Sequence, residues 1–406
     1  LHRYEKWSPL GLPKPPDRAI PLPGRQEPWH PPKVPRLLRL TLTDFRNYAA
    51  LTWRPSADIS VFAGPNGTGK TNLLEAVSLL VPGRGLRGAR NVDLPRVGGA
   101  GGWAVAGRFE THAGDHDIGT GTAPDGPPDR RVFRLDGAAP RSQAEIAARI
   151  AAVWLTPQMD RLFLEGLSGR RRFLDRLVWA LEPGHAREMA AHDSAMGNRN
   201  RLLAEGRKDR AWLAGLEDAM ARHAVAATAA RSALVTRLNA ALASGVAGAF
   251  PAAHIALACP IAERLATGSA LAVEDWMRAT LEANRSGDAA ARTALLGAHR
   301  SDMALTDSVS GTPATLASTG EQKALLIGVI LGHAVLIAET RGFPPIFLLD
   351  EPAVHLDPAR RSALFGALIE LRAQTLITGT DAEVFMPLGA HAEMLRTGDG
   401  TLCPLS

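Results

Sequence analysis

Cysteine is nearly absent from this chain: two residues, Cys259 and Cys403, in 406. Neither stands in a Cys-x-x-Cys spacing or beside a histidine cluster. A disulfide framework and a cysteine zinc site therefore find no support, and a reducing compartment is expected. No run approaches the roughly 18 apolar residues that span a bilayer. The first residues carry charges and prolines where a signal peptide needs an apolar core. The expectation is a soluble cytoplasmic protein with no membrane partner. Internal repeats are lacking, and no hydrophobic heptad is sustained over several turns, which argues against a solenoid or a long two-stranded coiled coil. Excess charge is also scarce, with 46 Lys and Arg against 41 Asp and Glu, a net charge of +5. That balance suits a phosphate-bearing partner, and it equally suits an arginine-rich composition with no partner significance.

What is present is ordinary globular material: 46% apolar and 21% charged residues, in a chain long enough for two or three structural units. Residues 1–36 stand apart, holding about ten prolines without periodicity. They are expected to be a disordered, proline-rich extension, either outside the native protein or a docking tail. Beyond them Leu38, Leu40 and Leu42 alternate with Arg39, Thr41 and Thr43, the period of a half-buried strand. The apolar run Ile59 to Ala63 predicts a second strand, and 71–81 a helix. Short β-like runs within 98–136 predict a small antiparallel extension. The stretch from Gln143 to Arg237 has helical spacing, and β character returns near Ala252 to Pro260. The last third alternates helix (321–340), strand (346–350), helix (358–371) and strand (374–378), which predicts a parallel α/β sheet.

Three motifs carry chemistry. Gly64-Pro65-Asn66-Gly67-Thr68-Gly69-Lys70-Thr71 fits GxxxxGK[ST] between an apolar strand and a leucine-rich helix. Its glycines permit backbone conformations that aim N–H groups at a phosphate, and the helix adds its positive N-terminal end. Lys70 would bridge the β- and γ-phosphates of ATP, and the Thr71 hydroxyl would ligate Mg²⁺. Ile346 to Leu349 is an apolar strand ending in Asp350-Glu351. Asp350 would hold Mg²⁺, and Glu351 would orient or deprotonate the attacking water. Ala317-Ser318-Thr319-Gly320-Glu321-Gln322-Lys323 resembles the ABC signature and precedes Asp350 by about thirty residues. Ser-x-Gly at a helix start also reads as a simple N-cap; the order and spacing of the three motifs favour the signature. His355-Leu356-Asp357 resembles the D-loop. Thr378-Gly379-Thr380-Asp381 occupies the place of the switch residue, with Thr380 as the expected γ-phosphate sensor.

The class so far is α/β, an ABC-type P-loop ATPase head. A transporter ATPase subunit keeps its phosphate loop and Asp-Glu strand little more than a hundred residues apart, and an Smc-like clamp fills the gap with heptads. Here Gly64 and Asp350 bracket nearly three hundred residues without heptads. Further blocks resemble the RecF family: Asp44-Phe45-Arg46-Asn47-Tyr48, Gly69-Lys70-Thr71-Asn72-Leu73-Leu74-Glu75-Ala76, Gly169-Arg170-Arg171-Arg172-Phe173-Leu174-Asp175, Arg199-Asn200-Arg201-Leu202-Leu203 and Gly297-Ala298-His299-Arg300-Ser301-Asp302. Ala298, Ser301 and Glu321 depart from the family pattern, and Gln158 stands where the family usually has an acidic residue. The resemblance implies an ABC-type head built from residues 37–162 and 286–406, with an inserted, mostly helical arm at 163–285. It places Arg46 and Asn72 with the phosphate loop at ATP, and gives Gln158 the Mg²⁺- and water-contacting role it has in ABC proteins. It has Ser318 and Gly320 cover the ATP of a second subunit in an ATP-dependent homodimer.

The same resemblance implies a weak, DNA-coupled ATPase of the cytoplasm and nucleoid. It would act on double-stranded DNA and single-strand/duplex junctions with RecR- and RecO-like mediator proteins, supporting RecA loading, replication restart and the SOS response. Arg161, Arg170, Arg171, Arg172, Arg176, Arg199, Arg201, Arg207, Lys208 and Arg210 make the arm basic. As helical residues they read first as a solvated face, some of them paired with Asp175, Glu182 or Glu188. With the resemblance, Arg170, Arg171, Arg172, Arg199 and Arg201 become the expected DNA contacts.

Overall fold

The computed structural model describes residues 34–123, 126–127, 129–206, 209–398 and 400–405. The expected extension, residues 1–36, therefore lies almost wholly outside the described residues, as do Arg207 and Lys208. In chain order come β1 (Arg36–Phe45), β2 (Tyr48–Trp53), β3 (Ile59–Ala63), α1 (Lys70–Leu80), β4 (Ala104–Thr111), β5 (Gly114–Thr122) and β6 (Arg131–Leu135). Then follow α2 (Gln143–Ala147), β7 (Ala152–Leu155), α3 (Leu167–Leu181), α4 (His185–Ala204), α5 (Arg210–Ala243), β8 (Ala253–Ala258), α6 (Pro260–Leu265), α7 (Ala270–Ala283) and α8 (Arg285–Ala291). The chain closes with β9 (Asp302–Asp307), α9 (Thr319–Arg341), β10 (Ile346–Leu349), α10 (Pro358–Glu370), β11 (Thr375–Gly379), β12 (Ala392–Gly398) and β13 (Thr401–Pro404).

The central sheet has the order β13-β12-β3-β11-β10-β7. Every pair in it is parallel except β12–β13. β3, β10 and β11 are buried along their whole length, which is why they read as unbroken apolar runs rather than alternating ones. β3, from the N-terminal part of the chain, lies between β11 and β12 from the C-terminal part, with Ile59 opposite both Thr375 and Ala392. The two ends of the chain thus complete one sheet. β7 corrects the expectation of continuous helix from Gln143. Ala152–Leu155 is a four-residue apolar run, and periodicity alone does not separate a buried strand of that length from helix.

The second sheet, β2-β1-β4-β5-β6, is antiparallel throughout; β4, β5 and β6 form the extension expected within 98–136, and β1 and β2 enlarge it. In β1 a bulge between Leu37 and Arg39 interrupts the alternation, so Leu37, Leu40, Leu42 and Phe45 point inward and Leu38 stays half-exposed. Gln374, just before β11, secures that bulge. Its side chain accepts from the Leu37 N–H (2.6 Å) and donates to the Leu37 carbonyl (3.1 Å), joining the two sheets.

The helices of the stretch expected to form an arm gather on α5. Its first half contributes Ala221, Ala224 and Val225 to a small core with Cys259, Ile261, Val273 and Met277. Its second half, Leu234 to Leu242, belongs to the main core beneath α9. There a Cβ on Gly332 would come within 2.9 Å of Leu242 Cδ2, so glycine permits the close helix crossing. α9 corrects a second expectation. By length and composition it is apolar enough to cross a bilayer, with mean hydropathy 1.7, but 78% of that stretch is buried inside the protein. A helix apolar on all sides is here the helix at the centre of a core.

Candidate nucleotide site

The phosphate loop joins β3 to α1 at the carboxyl edge of the central sheet. Gly64, Gly67 and Gly69 all have positive φ (151°, 85° and 98°). At Gly69 a second constraint applies, because a Cβ there would sit 2.3 Å from Asn47 Nδ2. Asn47 donates to the Thr68 carbonyl (3.3 Å) and accepts from Asn72 Nδ2 (2.7 Å), while the Tyr48 hydroxyl donates to the Gly69 carbonyl (3.2 Å). Arg46 grips Glu75 of α1 through two 2.8 Å bonds and donates to the Asp93 carbonyl (2.7 Å). The Phe45–Tyr48 block is thus a bracket holding the loop and the first turns of its helix. Sequence reasoning singled out the block only as a resemblance. Thr397 of β12 braces the other side, 2.8 Å from the Thr68 hydroxyl.

Lys70 is buried, and its Nζ donates to the carbonyls of Gly64 (2.6 Å) and Pro65 (2.8 Å). Burial lowers its pKa from the ordinary lysine value, against the opposing fields of Glu351 and Asp350. The Thr71 hydroxyl donates to Asp350 Oδ1 (2.8 Å), at the end of β10. Thr378 supplies a second donor to the same oxygen (2.7 Å) and accepts from the Glu351 N–H (2.9 Å). The sensor expected from the sequence, Thr380, lies two residues further on. Thr380 is exposed beyond β11, whereas Thr378 is buried in the strand and ties both carboxylate residues together. Glu351 holds φ +50°, a left-handed conformation that non-glycine residues rarely adopt. β7 pairs with β10 and brings the turn Pro157–Arg161 beside these groups, with Gln158 exposed on it.

The signature segment opens α9. Ser318 and Glu321 form a complete capping box: the Ser318 hydroxyl accepts from the Glu321 N–H (3.4 Å), and the Glu321 carboxylate accepts from the Ser318 N–H (2.8 Å). The N-cap reading and the signature reading therefore hold together, and Glu321, a departure from the family pattern, serves the cap. A Cβ on Gly320 would meet the His355 carbonyl at 2.9 Å, so this glycine lets the D-loop lie against the signature.

No family model matches the chain. A DNA replication and repair protein RecF from Mesorhizobium japonicum is 46% identical over 376 residues, covering 92% of this chain and 99% of that protein. Proteins of the same name from Agrobacterium fabrum and Brucella suis biovar 1 are 45% and 44% identical, each over 90% of this chain and over 97% and 95% of their own lengths. The chain belongs to the RecF family. Among solved structures, the recombination mediator protein RecF-ATPrS in the RecFOR pathway superposes with TM-score 0.80 at 21% identity, over 93% of this chain and 100% of that one. An Smc head bound to the C-winged helix domain of ScpA superposes with TM-score 0.52 at 15% identity, over 91% of this chain and 97% of that one. The fold is that of an ABC-type ATPase head, and RecF membership decides among the three readings of the motif order.

The RecF arginine blocks divide once placed in space. Arg172 and Arg201 are exposed. Arg170 is clamped to Asp302 (2.7 and 3.0 Å), and half-buried Arg171 donates to the Ser301 carbonyl (3.4 Å). Arg199 is a correction. Its side chain is fully buried and donates to Glu217 (2.9 Å), Asp288 (2.7 Å) and the Leu281 carbonyl (2.6 Å). With every edge of the guanidinium engaged, Arg199 ties α4 to α5, α7 and α8 and offers nothing to a DNA phosphate.

Proposed function

We propose that this RecF-family chain binds ATP with Mg²⁺, closes as a homodimer around it on double-stranded DNA or at single-strand/duplex junctions, and opens after slow hydrolysis. The observation that carries this reading is the convergence of the Thr71 and Thr378 hydroxyls on Asp350 beside the phosphate loop, with Thr378 also accepting from the Glu351 N–H. The fit to Mg²⁺ rests on its donors: a hydroxyl and a carboxylate oxygen, both hard ligands, already 2.8 Å apart. Thr71 and Asp350 would hold the ion, which when bound would neutralise phosphate charge. Lys70 would exchange the Gly64 and Pro65 carbonyls for phosphate oxygens. Glu351 would orient the attacking water, with Gln158 at its flank and Thr380 facing the γ-phosphate.

Dimer closure is supported by the surface around the signature. Leu164 (66% exposed), Leu316 (78%) and Val354 (42%) lie in the three segments that meet there, the stretch after the Gln158 turn, the run into Ser318 and the D-loop. Family membership supports extending the same proposal to DNA binding through Arg172 and Arg201, partnership with RecR- and RecO-like proteins, RecA loading, the SOS response and action in the cytoplasm at the nucleoid. The test is sedimentation with and without ATP and gapped DNA, on wild type, Lys70→Arg and Ser318→Arg. Ser318→Arg should bind nucleotide as a monomer and fail to dimerise. Normal ATP-dependent dimers of Ser318→Arg would refute the sandwich.

A further inference from the structure

Lys323 lies in the first turns of α9, five residues after Ser318, and only 1% of its side chain reaches solvent. Its ammonium donates to Asp160 Oδ2 (3.3 Å) and to the Glu351 carbonyl (3.1 Å). Asp160 belongs to the turn that carries Gln158. Its other oxygen, Oδ1, is buried without a hydrogen-bond partner among the described residues. A long ion pair with one carboxylate oxygen unsatisfied is a poor source of stability, since desolvation of both charges opposes the attraction. Its placement explains it better. Glu351 sits at φ +50°, pinned in front by Thr378, which accepts from its N–H, and behind by Lys323, which donates to its carbonyl. A cleft of about 330 Å³ opens over Asp160, Thr319, Lys323, Glu351 and His355. One lysine therefore touches the turn of Gln158 and the backbone of Glu351 from the helix that begins with the signature.

We propose that Lys323 is a positioning residue for hydrolysis: it sets the backbone of Glu351 from the signature helix of its own subunit, so that engagement of the signature by a partner's nucleotide is felt at the hydrolytic site of the same chain. The inference rests on the ATP-sandwich reading above. A rigid shift of the first turns of α9 moves Nζ directly against the Glu351 carbonyl, and the strained φ of Glu351 makes its carboxylate sensitive to that shift.

The experiment measures ATP turnover per subunit as a function of protein concentration, with sedimentation in ATP alongside. It uses wild type, Lys323→Met, Lys323→Arg and the charge-free pair Lys323→Met with Asp160→Leu. In wild type, turnover should rise with concentration as dimers form. Lys323→Met should still dimerise with ATP and keep its KM, but lose kcat on the order of 10²-fold, the scale of a misplaced reacting group. Its residual turnover should no longer follow dimer formation. Lys323→Arg should recover part of kcat. The charge-free pair, which leaves no stranded carboxylate and is expected to fold even if Lys323→Met does not, should remain slow. Wild-type turnover in the charge-free pair, or in Lys323→Met, would overturn the positioning role while leaving the sandwich intact. Absence of ATP-dependent dimers in wild type would overturn both.

Discussion

Replacing Arg199 by leucine strands the Asp288 carboxylate and takes one of two cations from Glu217, and the outcome separates a structural arginine from a DNA-binding one. Arg199 is fully buried, as are Glu217 and Asp288. Glu217 keeps a second cation, Arg285, at 2.9 Å. Among the described residues Asp288 keeps only the Leu295 N–H, also at 2.9 Å. Removing one member of a buried ion pair costs roughly 3–5 kcal/mol, because a charge is left without compensation. The loss of the bond to the Leu281 carbonyl adds about 1 kcal/mol. With Arg285 softening the effect at Glu217, the net expectation is about 4 kcal/mol, a large share of the roughly 5–15 kcal/mol of a folded domain. Urea unfolding reads it directly, and adding Asp288→Leu should restore at least half. Among the folded molecules, DNA affinity should fall with salt along the wild-type slope. Arg172→Ala and Arg201→Ala should each lower that slope by about 1, the signature of a lost phosphate contact. Unfolding of Arg199→Leu within about 0.5 kcal/mol of wild type, the range of an ordinary surface substitution, together with a reduced salt slope, would refute the buried network and return Arg199 to the surface.

Three further outcomes are expected. His333 of α9 is buried against the Leu177 carbonyl (2.9 Å), and burial pushes its pKa down to about 3, below the unfolded value near 6.5. A base held neutral in the fold contributes full stability above pH ~6.5 and loses it as pH falls toward 3, so about 2 kcal/mol should vanish between pH 8 and pH 5. His333→Gln, which keeps a donor but does not titrate, should show that much less loss in paired urea melts; equal losses would mean His333 is not buried neutral. Gly69→Ala should destabilise the chain by about 1–2 kcal/mol through its positive φ alone, and more through the Asn47 contact. The double variant with Asn47→Ala should then fall short of the sum of the two single losses, and strict additivity of the thermal shifts would place Asn47 elsewhere. Gly320→Ala gains about 1 kcal/mol by helix propensity, yet the His355 carbonyl 2.9 Å away should cancel that gain and weaken ATP-dependent dimerisation. A more stable variant with normal dimers would show that the D-loop stands further off.

The chemistry of the site was legible in the sequence because it is written in contiguous residues. Phosphate binding needs backbone N–H groups in one short turn, so Gly64 to Thr71 declares itself by composition and by the strand and helix at its ends. Asp350-Glu351 declares itself because a buried parallel strand has no polar residue until it reaches its end. The order of motifs gave the ATPase class, and the blocks around Arg46, Arg170, Asn200 and His299 resemble the RecF family that the relatives show. Tertiary structure decided what depends on partners far away in the chain. Arginine is the same letter whether it faces solvent or closes a buried network, and only the placement of Glu217 and Asp288 removed Arg199 from the DNA-facing set. Periodicity did not announce the bulge at Leu37, and the Gln374 side chain that bonds to it lies 337 residues away. Thr378 and Lys323 were likewise silent, one hidden in an apolar strand and the other at the end of a recognised motif. Each acquires meaning from an oxygen that a different segment delivers. Local backbone demands are therefore carried by the sequence, whereas the pairing of charges and donors across the chain exists only once the chain has folded.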